Sequence, residues 1–285
     1  YLPTLLQLPG AGEQVRLTEE WLRGETVIPE IADKWTTGPA IPIEVVAPKS
    51  ARPGEKIRIQ VVAVNNKPGH DFPTGPLDII QAWIDLQVHD QDGNLVYESG
   101  RLSDDNFLGP DATVFKAEAI DQYGNLIDKH NLWEMVGARF KRTLFPGYSD
   151  VVTYAFFCPD LVPAIAGDSS EAAASARKAD AAAQSPLEKG ADRQAALSPA
   201  LPPRTADLVV PGGGAELVVS ARLRYRKVDQ YLVNFLFPDQ GMTAAITDIS
   251  WAQARIRIEP AAGDPTTATS RRTDRPKETP TGSGR

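Results

Sequence analysis

The fourteen residues Asn65 to Asp78, NNKPGHDFPTGPLD, limit what this chain can fold into. They follow the run Lys56 to Val64 (KIRIQVVAV) and precede Ile79 to Val88 (IIQAWIDLQV). In the first run Ile57, Ile59, Val61 and Ala63 alternate with Arg58 and Gln60, the period of a half-buried strand. A connection between paired strands usually takes about two to five residues, so this one is far too long for a tight hairpin. Its three prolines stiffen it, and its two glycines free the backbone at the points between them. At its centre stands His70, one of three histidines in the chain. A rigid loop on a strand scaffold is a common place to hold a reactive side chain.

The same strand signals recur along the chain. Ile43 onward reads as strand, PGEK turn, strand, and Leu95 to Ser99 returns after the Asp92-Gly93-Asn94 turn. Phe115 to Ile120 is followed by a turn at Asp121 to Asn125, and His130 to Met135 is a short helix or an irregular loop. Arg139 to Leu144 and Val151 to Phe157 read as a pair closed by FPGYSD. Glu216 to Tyr225 and Ile256 to Ile258 are the last strand signals. Short strands every 8 to 12 residues predict a mainly β protein, an antiparallel, Ig-like β-sandwich. Residues 1–42 read as a helical lead-in and linker standing apart from it, with two short helices between Glu13 and Trp35. The sandwich spans 43–258 and carries a low-complexity insertion over 160–206, rich in Ala, Ser, Pro and alternating charge. Such composition cannot bury enough apolar surface to offset its ordering entropy, and the same holds for the polar tail at 259–285.

Charge and cysteine content exclude several classes. A net charge of −7 and a pI near 5.1 argue against a nucleic-acid binder, and no apolar run has the length of a membrane helix. The chain starts at Tyr1 in mid-pattern and reads as a processed or truncated product. The single Cys158 excludes an internal disulfide and any CxxC motif, and at a strand end beside Pro159 it reads as a buried structural thiol. GGG at 212–214 lacks the strand, helix and lysine of a phosphate loop and reads as a turn. Asp104, Asp105 and Asp111 have a calcium-binding composition without calcium-loop spacing, so they read as a solvated loop. His89 falls at a strand end facing solvent, and His130 precedes Asn131 and Trp133 in a loop. His70 either pins its turn through a loop carbonyl or serves as a metal ligand. Arg222, Arg224 and Arg226 alternate onto one strand face, which is either a solvated outer face or a docking face for a carboxylate-bearing cofactor or partner. No nucleophile–base pair can be read from spacing, so no catalytic activity is expected, and an enzyme using His70 with a metal ranks last.

Several segments fit together. GHDFPTG at 69–75, QAWIDLQVHDQDGNLVYESG at 81–100, DQYGNLI at 121–127, HNLW at 130–133, FPGYSDVVTYAF at 145–156 and ARLRYRK at 221–227 occur in this order. Over roughly residues 13–258 the chain resembles the C-terminal β domain that follows the haem-binding region in bacterial multihaem c-type cytochromes. The resemblance implies electron transfer, haem c as cofactor, an extracytoplasmic location, and a haem-binding region or cytochrome c and a redox protein as partners. With no CxxCH motif this chain attaches no haem covalently, so the haem belongs to a missing upstream region or to a partner. In that setting His70 is a candidate distal ligand to haem iron, its ring oriented by Asp71 or a backbone carbonyl, and His130 is a second candidate. The alternative of a different class is an extracytoplasmic, non-redox sandwich module that binds a protein or carbohydrate.

Overall fold

The structure is a computed structural model that describes residues 2–33, 37–76, 78–159, 161–162, 208–209 and 215–259. The expected insertion and tail, and the 212–214 turn, lie almost wholly outside the described residues.

Two sheets face each other, as the strand signals predict. The smaller has β1 (Ile43–Val46), β3 (Lys56–Val64) and β8 (Ser149–Phe157) in the antiparallel order β1-β3-β8. The larger is seven-stranded. Its path runs from β2 (Ser50–Ala51) through β12 (Thr247–Ile258), β11 (Glu216–Arg226), β4 (Gln81–Asp90) and β6 (Thr113–Ile120) to β7 (Gly137–Arg142). The strand β5 (Leu95–Ser99) also pairs with β4, beyond the end of β6. Pairing is antiparallel except between β2 and β12 and in a two-residue parallel pair, β9 (Leu161–Val162) with β10 (Leu208–Val209).

One apolar cluster joins the sheets. Ile57, Ile59, Val61 and Ala63 of β3 and Val152, Tyr154 and Phe156 of β8 lie on one side of it. Ala82, Ile84, Leu86 and Val88 of β4, Leu217, Val219 and Leu223 of β11, and Ile249, Ile256 and Ile258 of β12 lie on the other. Burying each large aliphatic side chain is worth about 1.5–3 kcal/mol, so this interface fixes which face of each strand turns inward. Cys158 belongs to the same cluster as a buried, reduced thiol.

Two features depart from the sequence expectation. The strands expected to pair through FPGYSD do not: β7 joins β6 in the large sheet, while β8 joins β3 in the small one. The segment crosses between sheets because Leu144, just past β7, pairs with Phe72 instead. The connection after β11 holds a helix and most of a strand that local patterning does not announce. Helix α3 (Gln230–Leu236) is capped by Asp229, whose carboxylate accepts from Leu232 N at 2.8 Å. Strand β12 begins at Thr247, nine residues before the Ile256 at which strand character is legible, because small and polar residues blur its alternation.

The N-terminal helices α1 (Leu2–Leu5) and α2 (Ala11–Arg23) lead into the sandwich. α2 ends at Gly24 with φ +79°, where a Cβ would overlap the Gly38 carbonyl. That close approach lets Ala40 N donate to Leu22 O at 2.8 Å and places Ile41, fully buried, in the core. Leu22 packs on the core, and Arg23 donates to the Asp248 carbonyl of β12 at 3.3 Å. No helix among the described residues is long and apolar enough to cross a membrane.

Candidate functional site

The stretch after β3 is a crossover between sheets: β3 pairs with β1 and β8, whereas β4 pairs with β11, β5 and β6. Asn65, only 1% exposed, staples its base. Its Nδ2 donates to the carbonyls of His70 and Leu144, both at 2.9 Å, and its backbone N–H donates to Tyr148 O at 3.0 Å. Phe72 and Leu144 exchange backbone hydrogen bonds of 2.8 and 2.7 Å, which ties the loop to the segment after β7. The Phe72 ring is buried 6.0 Å from that of Tyr225, and the Phe72–Pro73 peptide is cis. Asn66 and Lys67 donate their N–H groups to Ala40 O.

All this pinning uses backbone and Asn65, and the His70 ring stands outside it, exposed. Its Nδ1 lies 2.9 Å from the Asp71 carbonyl. A carbonyl only accepts, so Nδ1 donates in this contact, and in the neutral imidazole Nε2 is then the nitrogen with a free lone pair. The Asp71 carboxylate is engaged elsewhere, 3.2 Å from both Lys141 Nζ and Thr143 Oγ1. Of the two orienting groups expected from the sequence, the backbone carbonyl fills the role.

The far end of the same loop reaches His130. Its Nδ1 is 3.2 Å from Asp78 Oδ1 and 3.4 Å from Oδ2. The Asp78 side chain has no exposed surface, while 47% of the His130 side chain is exposed. The two residues are 52 positions apart, so nothing local in the sequence reveals the pair. The crossover loop thus orients two of the three histidines, each through Nδ1. His89 pairs within the sheet opposite Val218 and Leu95 and takes no part.

Exposed aromatic side chains occur on the segments that adjoin both histidines. On the segment that Asn65 ties to the loop, Phe145 and Tyr148 lie with ring centroids 6.4 Å apart, and Lys141 Nζ is 5.8 Å from the Phe145 ring. Beside His130, Trp133 is 82% exposed in a short 3-10 turn, and Lys129 Nζ sits 5.5 Å from the exposed Phe235 ring of α3. Among the described residues no group of three or more His, Cys, Asp or Glu is placed to hold a metal ion. Each imidazole offers a single donor, and any metal bound there must bring its other ligands. Asp111 is used structurally, its carboxylate accepting from Gly100 N at 3.0 Å, and Asp104 and Asp105 are exposed.

The arginine row does not form one outer face. Arg222 is exposed, 3.9 Å from Asp248. Arg224 bridges Asp248 at 3.0 Å and Asp85 at 3.1 Å. Arg226 is fully buried, so the three-arginine docking face shrinks to Arg222 and part of Arg224. Its Nε donates to Gln81 Oε1 at 2.7 Å and its Nη1 to Asn106 O at 2.8 Å, with the guanidinium 5.5 Å from the Trp83 ring. Burial pushes the Arg226 pKa down to about 10, with Asp229 opposing. A roof over the large sheet causes this. Asn106 donates to Gln230 Oε1 at 2.7 Å, Ala244 N donates to the same oxygen at 2.8 Å, and Trp83 Nε1 donates to Gly100 O at 3.1 Å. Gly100 has φ +80°, and a Cβ there would overlap the Ile84 carbonyl. Burial also raises the Asp85 pKa, against the pull of Arg224 and Arg222.

No protein-family model matches this chain, and no curated protein matches it. Among solved structures it is similar to a penta-heme cytochrome c552 from Thermochromatium tepidum, at 15% identity and a TM-score of 0.42. The alignment covers 76% of this chain and 40% of that chain, so the chain spans less than half the length of that structure. A likeness at this level is a weak resemblance to a multihaem cytochrome, and it transfers neither fold nor role.

Proposed function

We propose that this chain is the haem-free β-sandwich portion of an extracytoplasmic multihaem cytochrome c, serving electron transfer. It covers haems held by a haem-binding region or a partner, and it lends His70 as a distal axial ligand. The observation that carries this reading is the His70 ring itself. Its Nδ1 donates to the Asp71 carbonyl, and its Nε2 is left bare and exposed on a loop fixed by Asn65 and Phe72. A neutral imidazole held in this tautomer is the form that ligates iron, and hydrogen bonding at Nδ1 raises its basicity. When bound, the haem supplies the one-electron couple. The chain's own residues aim the donor atom, and exposed aromatic side chains such as Phe145 and Tyr148 are available for a covering haem region to pack on.

The test is the full-length protein with its haem-binding region, or this chain co-purified with its haem-bearing partner, from a host that matures c-type cytochromes. It should show a Soret band, and His70→Ala should remove one low-spin ferric signal and shift one reduction potential. A haem-free product, or a spectrum and potentials unchanged by His70→Ala, overturns the reading.

A further inference from the structure

We propose that the free edge of β8 is a self-association site, at which two copies of this chain pair antiparallel to form a dimer. The smaller sheet runs β1-β3-β8, so β8 has a strand on one side only. The bonds from Cys158 N to Glu55 O, 2.8 Å, and from Asn65 N to Tyr148 O, 3.0 Å, bracket the β3–β8 ladder and fix its phase. Even-numbered residues of β8 bond to β3. The odd-numbered Ser149, Val151, Thr153, Ala155 and Phe157 turn their N–H and C=O groups outward. Among the described residues no other strand takes them up.

Open strand edges are normally guarded by shortness, charge, proline or a bulge, because an unpaired row of backbone groups recruits another strand. The other edges of this fold are guarded in these ways. β2 has two residues, and β1 has four, with Glu44 among them and Pro42 and Pro48 on either side. β5 has five and includes Glu98. β7 carries Arg139, Lys141 and Arg142, and its ladder with β6 is bulged between Glu118 and Ala119. β8 has none of these devices. It runs nine residues in unbroken register, and every side chain on its outward-turned positions is uncharged. Val151 and Phe157 are 46% and 47% exposed. The strand's one charge, Asp150, is neutralised by Arg142 Nε at 2.7 Å.

The edge fits its own copy. A two-fold axis at Thr153 sets Thr153 opposite Thr153 of the second copy, Val151 opposite Ala155 and Ser149 opposite Phe157. All are outward-turned residues, so each pair exchanges backbone hydrogen bonds, and β-branched and aromatic side chains meet uncharged partners on the solvent face. Each chain carries a net charge of −7, and an uncharged edge is where two such chains meet with least repulsion. The pairing uses the same strand on both copies, so it closes at a dimer and leaves no further edge of this kind.

The experiment is sedimentation velocity of the full chain over a range of protein concentrations, which should show a reversible monomer–dimer equilibrium. Thr153→Lys sets two ammonium groups against each other at the axis and should weaken the dimer about tenfold or more. Thr153 is exposed, so the thermal midpoint of the monomer should stay unchanged. Thr153→Cys tests the register without adding charge. It should form an intermolecular disulfide on oxidation, because paired residues across an antiparallel ladder lie within reach of one, whereas Ser149→Cys, displaced from its counterpart, should not. Cys158 is buried and reduced and takes no part in either variant. A chain that stays monomeric at every concentration overturns the proposal. So does a dimer as tight in Thr153→Lys as in the wild type, or equal cross-linking of Thr153→Cys and Ser149→Cys.

Discussion

The crossover loop and the arginine row of β11 were the two stretches of sequence with most promise as sites, and the fold uses them in opposite ways. In the loop, the pinning is done by Asn65 and by main-chain bonds between Phe72 and Leu144, so the imidazole remains free. In the row, the guanidinium groups are themselves the pins. Arg224 holds Asp85 and Asp248, and Arg226 holds Gln81 and Asn106 beneath a roof closed by Gln230. A side chain is available for function where other groups meet the structural demand around it. The same physics leaves one region's side chain available and makes the other a scaffold.

The largest expected effect comes from breaking the scaffold. Arg226→Met leaves the Gln81 amide oxygen and the Asn106 carbonyl without their donor, next to the fully buried Trp83. Losing one partner of such a buried charged network costs about 3 kcal/mol. Urea denaturation should show that loss, while the exposure of the His70 ring in the folded fraction stays unchanged. A loss under about 1 kcal/mol would mean that the roof stands without the arginine. Asn65→Ala should follow, at about 2 kcal/mol, because it strips the Leu144 and His70 carbonyls of a donor at 2.9 Å each. Unlike the first variant it should also speed amide exchange across 65–76, since it releases the loop that carries the ring. Unchanged exchange there would count against Asn65 as the staple.

These contrasts explain what was legible in the sequence. The alternation in β3 and β4 shows the sandwich, because one inward face per strand is a local, period-two signal. The two turns DQDGN at 90–94 and DQYGN at 121–125 are legible for the same reason. In each, the leading Asp accepts from the N–H groups two and four residues on. The roof was not legible. It depends on Asn106 meeting Gln230, 124 residues away, over the face that carries Arg226. Alternation alone therefore placed Arg226 on an open face. His70 stood out because its loop is anomalous in length and composition. Its counterpart Asp78–His130 depends on a through-space contact that no spacing rule could supply.

Two carboxylates on the large sheet sharpen the comparison through pH, with opposite signs. Burial pushes the Asp85 carboxyl up, against Arg224 and Arg222. Its contribution to stability is therefore full below the unfolded pKa of about 3.9 and is lost as pH rises through the folded value. Burial also pushes Glu118 up, but Lys116 at 2.5 Å and Arg139 at 2.8 Å together hold it below the ordinary range. Its contribution is present above the unfolded pKa of about 4.3 and is lost as pH falls through the folded value. Between pH 7 and pH 3, the stability of the wild type relative to Asp85→Asn should grow on acidification, and relative to Glu118→Gln it should shrink. Each change should be on the order of 1 kcal/mol or less, read from denaturation midpoints. Parallel curves for the two variants would mean that one assignment of environment is wrong.

The smallest expected effect tests the free side of the comparison. His70→Ala keeps the main-chain carbonyl that accepts from Asn65, and it removes an exposed ring whose hydrogen bond among the described residues is to the adjacent residue. Apo-protein stability should therefore change by less than about 0.5 kcal/mol, as for an exposed surface residue. A loss of about 2 kcal/mol would show that the imidazole itself pins the loop. The ring would then be a scaffold element like Arg226, and its bare Nε2 would be a by-product of that role. Near-neutral stability together with a shifted haem potential separates the two outcomes, because a ring that only held the turn would change both quantities or neither.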